Sequence, residues 1–204
     1  MGEVAGDAPL IGVLALQGGF QAHERVLQGL GARVREVRVP ADLDGLDGLV
    51  LPGGESTTMT LGIEREGLAG PLRELAGRGG VGGIPILGSC AGLIMLDRKH
   101  LAIMDILADR NAFGRQIRSF EADLSMAGIE GGPVRGVFIR APQIAEHGPD
   151  VEILAQIDGH AVAARQGRIL AVAFHTELGS EDRVHRLFLA DVAASSGRDV
   201  VGTG

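Results

Sequence analysis

Apolar residues fall in short unbroken runs along the first half of the chain, and each run ends in glycine, proline or a polar residue. Residues 11–16 read as a buried strand. Gln17-Gly18-Gly19 interrupts it as a loop. Residues 21–29 then take up a helical period, with Val26, Leu27 and Leu30 on one face. Residues 34–39 read as a second strand, stopped by Pro40. Residues 48–51 read as a third, ending in Pro52-Gly53-Gly54-Glu55-Ser56-Thr57. Helical material spans 61–76, with Pro71 placed to open a second helix. A glycine-rich turn at 77–83 precedes a fourth apolar run at 84–87, and a helix-compatible run follows at 93–96. This β-α-β-α rhythm with short connections predicts a parallel, doubly wound sheet.

After Leu96 the pattern changes. Residues 120–124, 134–139, 151–157, 160–164 and 169–173 are short β-like runs, several separated by Gly and Asp turns. They read partly as hairpins and predict antiparallel strands added to the sheet. Residues 181–194 close the chain as a helix with Val184, Leu187, Phe188 and Val192 on its apolar face. The expected architecture is α/β and three-layered, with a mostly parallel doubly wound sheet and added antiparallel strands. Residues 11–194 are expected to form a single domain. A flexible extension at 1–10 precedes it and a polar, glycine-rich, flexible tail at 195–204 follows. There is no internal repeat and no low-complexity linker.

Composition sharpens this picture. The chain has 204 residues, of which 45% are apolar and only 3% aromatic. The core must therefore be Val, Ile, Leu and Ala, a mix that suits buried parallel strands. The net charge of −7 comes with scattered basic residues. No basic stripe interleaved with aromatics is present, which argues against a nucleic-acid surface. A single cysteine excludes an intrachain disulfide and fits a reducing cytosol. The first ten residues lack the basic and apolar regions of a signal peptide. No apolar run approaches the ~20 residues of a membrane span. A cytoplasmic protein without membrane contact is expected. One cysteine and scattered histidines give no metal-ligand spacing, and no cofactor is expected.

The single cysteine, Cys90, sits in Leu87-Gly88-Ser89-Cys90-Ala91-Gly92, where a predicted strand turns into a predicted helix. That is the setting of a nucleophile elbow, and a helix N-terminus favours thiolate. A lone cysteine is also commonly a buried core residue, and the elbow alone leaves both readings open. A nucleophile needs a base, and the base an orienting group. Of six histidines, only His175 directly follows a buried-strand pattern, in Ala173-Phe174-His175-Thr176-Glu177. It is placed at the C-terminal end of a strand, where open α/β sheets carry their sites. Glu177 is two residues on and faces the same way in extended backbone. Gly53 and Gly54 leave peptide N–H groups open to an oxyanion.

The order and spacing of Gly53-Gly54, Gly-x-Cys-x-Gly and His-x-Glu resemble the class I glutamine amidotransferases. Further strings narrow the resemblance: Leu14-Ala15-Leu16-Gln17-Gly18, 51–59, Arg110-Asn111-Ala112-Phe113-Gly114-Arg115-Gln116, 119–124 and 136–142. They are similar to the glutaminase subunits of the two-component pyridoxal 5′-phosphate synthase, from about Ile11 to Val192. The resemblance implies a flavodoxin-like core and hydrolysis of L-glutamine to glutamate and ammonia. Cys90 would be the nucleophile, His175 the acid–base and Glu177 its orienter, with Gly54 and Ala91 N–H groups meeting the oxyanion. The substrate contacts carried over are Gly53, Gly54, Glu55, Ser56, Arg110, Ile139 and Arg140. Ammonia would pass to a barrel-shaped synthase subunit, which joins it to a pentose phosphate and a triose phosphate. Docking of that subunit would order the oxyanion loop by turning the Gly54 peptide, giving residues 17–21 and 53–56 a switching role. Two positions depart from the family: Thr176 stands where proline is usual, and Ser89 where threonine is usual. Thr176 gives up the fixed φ of proline, which predicts a looser His175–Glu177 pair. Three rivals are a partner-independent cysteine hydrolase, a glutaminase of another pathway and a non-catalytic binding protein. The intact triad disfavours the last, and the 110–116 and 119–124 strings disfavour the second.

Overall fold

A computed structural model describes residues 8–78, 80–110 and 119–197. In chain order the elements begin β1 (Leu10–Leu14), α1 (Phe20–Gly29), β2 (Arg33–Val37), β3 (Gly48–Leu51), α2 (Ser56–Arg65) and α3 (Ala69–Ala76). A small hairpin follows, β4 (Gly77–Arg78) with β5 (Val81–Gly82), and then β6 (Ile86–Ser89) and α4 (Ala91–Leu96). The second half holds β7 (Ile106–Asp109), β8 (Ser119–Leu124), β9 (Val134–Ile139), β10 (Gln143–His147), β11 (Glu152–Ile157), β12 (His160–Gln166), β13 (Ile169–Val172) and α5 (Arg183–Ser195).

Strands β2-β1-β3-β6-β13 run parallel in that order. Taken among themselves, these five have the 2-1-3-4-5 order of a flavodoxin-like sheet. Beyond β13 the sheet turns antiparallel through β12, which pairs with β11 and touches β10, and β10 carries β7 at the far edge. Gly88 and Ser89 are neighbours on β6, so they face opposite sides. A Cβ on Gly88 would meet Leu96 and Gly92 of α4, whereas the Ser89 hydroxyl meets His23 of α1. α5 lies with α1, since His185 contacts His23. The layers are thus α1 and α5 on one face and α4, with α2 against it, on the other.

Val, Ile, Leu and Ala do build most of the core, with strands β3, β6 and β13 buried at every position. The few aromatics are concentrated. Phe120 stacks on Phe138 at 4.6 Å between ring centroids, and Phe138 tilts against Phe174 at 5.4 Å. These three rings tie the β8–β9 hairpin to the end of β13. An antiparallel bridge between Val137 and His175 continues the tie, with the His175 N–H donating to the Val137 carbonyl at 2.8 Å.

Several boundaries differ from the sequence expectation. The Cys90 strand starts at Ile86, because Pro85 cannot donate to a ladder. α3 starts two residues before Pro71, which still sits in the first turn, where its missing N–H costs nothing. Leu10, placed in the flexible extension, is the first residue of β1, and its N–H donates to Asp47 Oδ2 at 2.8 Å. Residues 1–7 of that extension and 198–204 of the expected tail lie outside the described residues. β7 and β10 were not expected at all. Both are short, and β10 carries a register shift between Ile144 and Glu146 that breaks its alternation.

Phe138 is completely buried between two rings. Phe138→Ala is expected to cost about 3–5 kcal/mol, read as a fall in the urea midpoint with unchanged slope.

Candidate active site

Four segments that follow parallel strands converge. Gln17–Gly19 follows β1, Pro52–Ser56 follows β3, Cys90 follows β6 and His175 follows β13. This is the carboxyl edge beside the point where the strand order reverses. Cys90 is the turn between β6 and α4, with φ 50° and ψ −105°. A non-glycine residue at positive φ is strained, by about 1–3 kcal/mol. The strain is held by fixed neighbours. Cys90 N–H donates to the Val172 carbonyl at 2.8 Å. α4 lies so close to β3 that a Cβ on Gly92 would overlap the Leu51 carbonyl oxygen. Glycine is therefore obligatory two residues after the nucleophile.

His175 lies three residues beyond the end of β13, not on the strand itself. The β-bridge to Val137 positions it there. Its Nδ1 bonds Glu177 Oε1 at 2.6 Å. The His175–Glu177 pair is thus closed with threonine between its members, and the looseness expected from losing proline is absent. Burial acts to lower the His175 pKa, but hydrogen bonds to Cys90 and Glu177 and their charges outweigh it and raise it to about 10. For Glu177, burial favours the neutral acid, yet the bond to His175, the His23 ring beside it and the charge on His175 hold it below the usual carboxylate range. His175 is therefore cationic and Glu177 anionic at neutral pH.

The oxyanion-loop candidates pack against this pair. A Cβ on Gly53 would lie 2.6 Å from His175 Cε1. The Gly53 carbonyl accepts from Gly19 N–H at 3.1 Å. The Gln17 carboxamide clasps the Glu55 peptide from both sides, Nε2 donating to its carbonyl at 3.0 Å and Oε1 accepting its N–H at 3.1 Å. Glu55 itself caps α2. Its carboxylate accepts from Thr57 N–H, Thr58 N–H and the Thr58 hydroxyl, which lowers its pKa to about 2. The Glu55 carboxylate is thus engaged in holding the loop.

A cavity of about 590 Å³ opens above Cys90. Gly54, Glu55, Ser56, Ala91, Arg110, Ile139, Arg140 and His175 line it, together with Ile94, which the sequence did not single out. Gly53 and Glu177 lie behind this lining. The Ile139 carbonyl oxygen is 4.0 Å from Cys90 Sγ. Arg140 has φ 46°, a strained conformation at the rim. Arg110 and Arg140 are exposed, and among the described residues neither is paired with a carboxylate. Most of the 110–116 string lies outside the described residues. No group of three His, Cys, Asp or Glu among the described residues could hold a metal ion.

The sequence missed a buried tier behind the triad. His23 of α1 is completely buried, with Nε2 3.3 Å from Glu177 Oε2 and 3.1 Å from Ser89 Oγ. Its Nδ1 is 2.9 Å from Nε2 of His185, equally buried on α5. Burial keeps both imidazoles neutral by lowering their pKa values, to about 3 for His185. The signal was present: His23 holds the i−3 and i−4 positions relative to Val26 and Leu27, inside an otherwise apolar stripe. The Thr176 hydroxyl is also buried and has no hydrogen-bond partner.

Comparison with known proteins places this geometry. The profile of the SNO glutamine amidotransferase family matches residues 13–194. The chain is 48% identical over 206 residues to the pyridoxal 5′-phosphate synthase subunit PdxT of Clavibacter michiganensis subsp. michiganensis, covering 96% of each. It is 51% identical over 186 residues to the subunit of the same name from Geobacillus thermodenitrificans, covering 88% of this chain and 93% of that one. Among solved structures, a glutamine amidotransferase superposes with a TM-score of 0.82 at 40% identity, covering 90% of this chain and 98% of that one.

Two measurements follow from the site. His175 is expected to titrate near pH 10 by NMR in the wild type, and well below that in Glu177→Gln. A group whose pKa is raised on folding adds stability that is complete below its unfolded value, about 6.5, and lost as pH rises through its folded value. Wild-type stability should therefore decline between pH 6.5 and about 10, and less so in Glu177→Gln. Separately, Thr176→Val removes an unpaired buried hydroxyl at nearly constant shape and should stabilise the fold by about 1 kcal/mol, seen as a higher urea midpoint.

Proposed function

The chain belongs to the SNO glutamine amidotransferase family, and from that premise we infer how its residues release ammonia from L-glutamine. It is a glutaminase that works with a pyridoxal 5′-phosphate synthase subunit, to which the ammonia is handed, and it acts in the cytoplasm. The observation that carries the reading is the strained Cys90 elbow facing a cationic His175 at the floor of one cavity.

Cys90 Sγ, its proton already on His175, attacks the carboxamide carbon of glutamine. The carbonyl oxygen becomes an oxyanion, met by the N–H groups of Ala91 and Gly54. Each such donor contributes about 3 kcal/mol. The C–N bond then breaks, and ammonia leaves with the proton that His175 already holds. Water attacks the γ-glutamyl thioester as His175 takes its proton, and the C–S bond breaks to release glutamate, leaving the Cys90 sulfur anionic beside the protonated His175 as at the start. Glu177 stabilises the cationic imidazole and fixes its orientation. Arg110 and Arg140 are available for the substrate α-carboxylate, which a guanidinium binds with two parallel bonds. The Ile139 carbonyl and the Gly53–Ser56 loop face the rest of the substrate.

The Gln17 clasp supports a partner-dependent loop. Residues 17–19 hold the Gly53–Glu55 peptides by three hydrogen bonds. A partner that engages residues 17–21 reaches the oxyanion donor through those bonds.

The test is glutamate release from glutamine with and without the synthase subunit. Strong stimulation by the partner is expected, with a loss of about 10⁴-fold or more in Cys90→Ala. Equal turnover in both proteins would remove the triad assignment. Gly54→Ala places a Cβ 2.5 Å from the Gln17 carboxamide. It is expected to lose about 10²–10³-fold of the stimulated rate.

A further inference from the structure

The carboxylate of Glu177 is almost wholly buried, and only one of its oxygens is hydrogen-bonded. Oε1 carries His175, while Oε2 is buried without a hydrogen bond. His23 Nε2 lies 3.3 Å from Oε2, close to it though not aligned as a hydrogen bond. A half-satisfied buried carboxylate is costly as an anion, yet the glutaminase reaction needs it anionic. What lies against Oε2 therefore bears on catalysis.

Two proton arrangements are open to the pair of buried histidines. In one, His23 carries its proton on Nδ1 and gives it to His185 Nε2. His23 Nε2 then turns a lone pair toward the negative Glu177 Oε2, and His185 is left with a buried N–H at Nδ1 that has no partner. In the other, His185 Nε2–H donates to His23 Nδ1, and His23 Nε2–H donates to Ser89 Oγ with the positive end of its dipole 3.3 Å from Glu177 Oε2. The unpartnered atom on His185 is then only a lone pair. Orphaned buried N–H groups are the rarer and costlier defect. Both ends of the chain select the second arrangement.

We propose that His23 is a positioning residue for the glutaminase reaction, holding Glu177 in its anionic, His175-bound geometry through Nε2–H, with His185 fixing the tautomer that makes this possible. The kinetic part rests on the glutaminase reading; the tautomer does not. The proposal accounts for the position before the nucleophile. The Ser89 hydroxyl is the hydrogen-bond partner of His23 Nε2, so it holds the ring against Glu177. The groups facing this tier are His175 from the segment after β13, His23 from α1, His185 and Asp182 from α5 and its cap, and Cys90 across His175. Of these, Glu177 is the one whose protonation at low pH releases His175. Losing the His23 donor makes Glu177 easier to protonate, so the acid limb of the rate profile must move to higher pH.

The test joins NMR of ring nitrogens in the wild-type protein with partner-stimulated kinetics. His23 is expected to be neutral and protonated on Nε2. His23→Leu should lower kcat about 10–100-fold, the usual scale for an outer-tier orienting group, with KM changed less than about twofold and the acid limb raised. His23→Gln, whose amide N–H can stand where Nε2–H was, should recover most of kcat and return the acid limb. Protonation on Nδ1, a His23→Leu enzyme with wild-type kcat and pH profile, or a His23→Gln enzyme as slow as His23→Leu, would each overturn the proposal. If His23→Leu does not fold, the wild-type tautomer and the His23→Gln profile decide it. A wild-type protein that releases no glutamate with its partner would end both the glutaminase reading and the catalytic role. The tautomer measurement then tells whether the hydrogen-bond chain itself is correct.

Discussion

One buried negative charge organises the site. Glu177 has almost no access to water, so its ionised form exists only because neighbouring groups replace the solvent. Those groups come from different parts of the chain: His175 after β13, His23 from α1 and, behind it, His185 from α5. Both helices of one layer are thus committed to a residue that touches no substrate. Gly19 closes the remaining side, where a Cβ would sit 3.3 Å from Oε1. The loop that clasps the oxyanion peptides therefore also walls in the carboxylate, and the electrostatic and backbone halves of the site share one segment.

The nucleophile depends on a different constraint, the close approach of α4 to the sheet. Positive φ at Cys90 has an energetic cost that only an over-determined surrounding can sustain. Here β6 enters fully buried, α4 leaves fully buried, and Gly92 removes the one Cβ that would push them apart. The second wall of the cavity is remote in sequence. It depends on the ring stack that holds β9 across the end of β13, and so on Phe120, Phe138 and Phe174. A chain nearly empty of aromatics uses half of its six phenylalanines to seat Ile139 and Arg140 above the sulfur.

How far the sequence could be read follows from where local pattern and tertiary contact agree. β1, β3 and β6 were legible because they lie in apolar runs that stop at glycine, proline or a polar residue. The elbow was legible because small residues flank a single reactive one. β7 and β10 were not: each has few residues, and the register shift in β10 erases the alternation that marks a half-buried strand. The segment 97–105, to which no element was assigned, takes its order from a side chain. Asp97, buried, accepts from the N–H groups of Lys99, His100 and Ala108 and from the His100 ring. His23 and His185 were passed over because a histidine on an apolar helix stripe reads as a tolerated polar residue. What gives them meaning is a partner about 160 residues away, across the layer, 162 positions in sequence from one to the other.

The two departures from the family pattern act on opposite faces of this arrangement. Thr176 interrupts His175-x-Glu177 without loosening it, because the bridge to Val137 and the bond between the two side chains fix both ends. The rigid φ of proline is therefore redundant here, and what threonine brings instead is a buried hydroxyl with no partner. Ser89 keeps the hydroxyl that its position presents to His23. The site thus gives up backbone stiffness where contacts already supply it, and retains a polar atom where the buried imidazole has a use for it. A change that leaves the hydrogen-bond order intact is tolerated beside the triad; one that removes a donor or acceptor from the tier behind it would reach the nucleophile through Glu177 and His175.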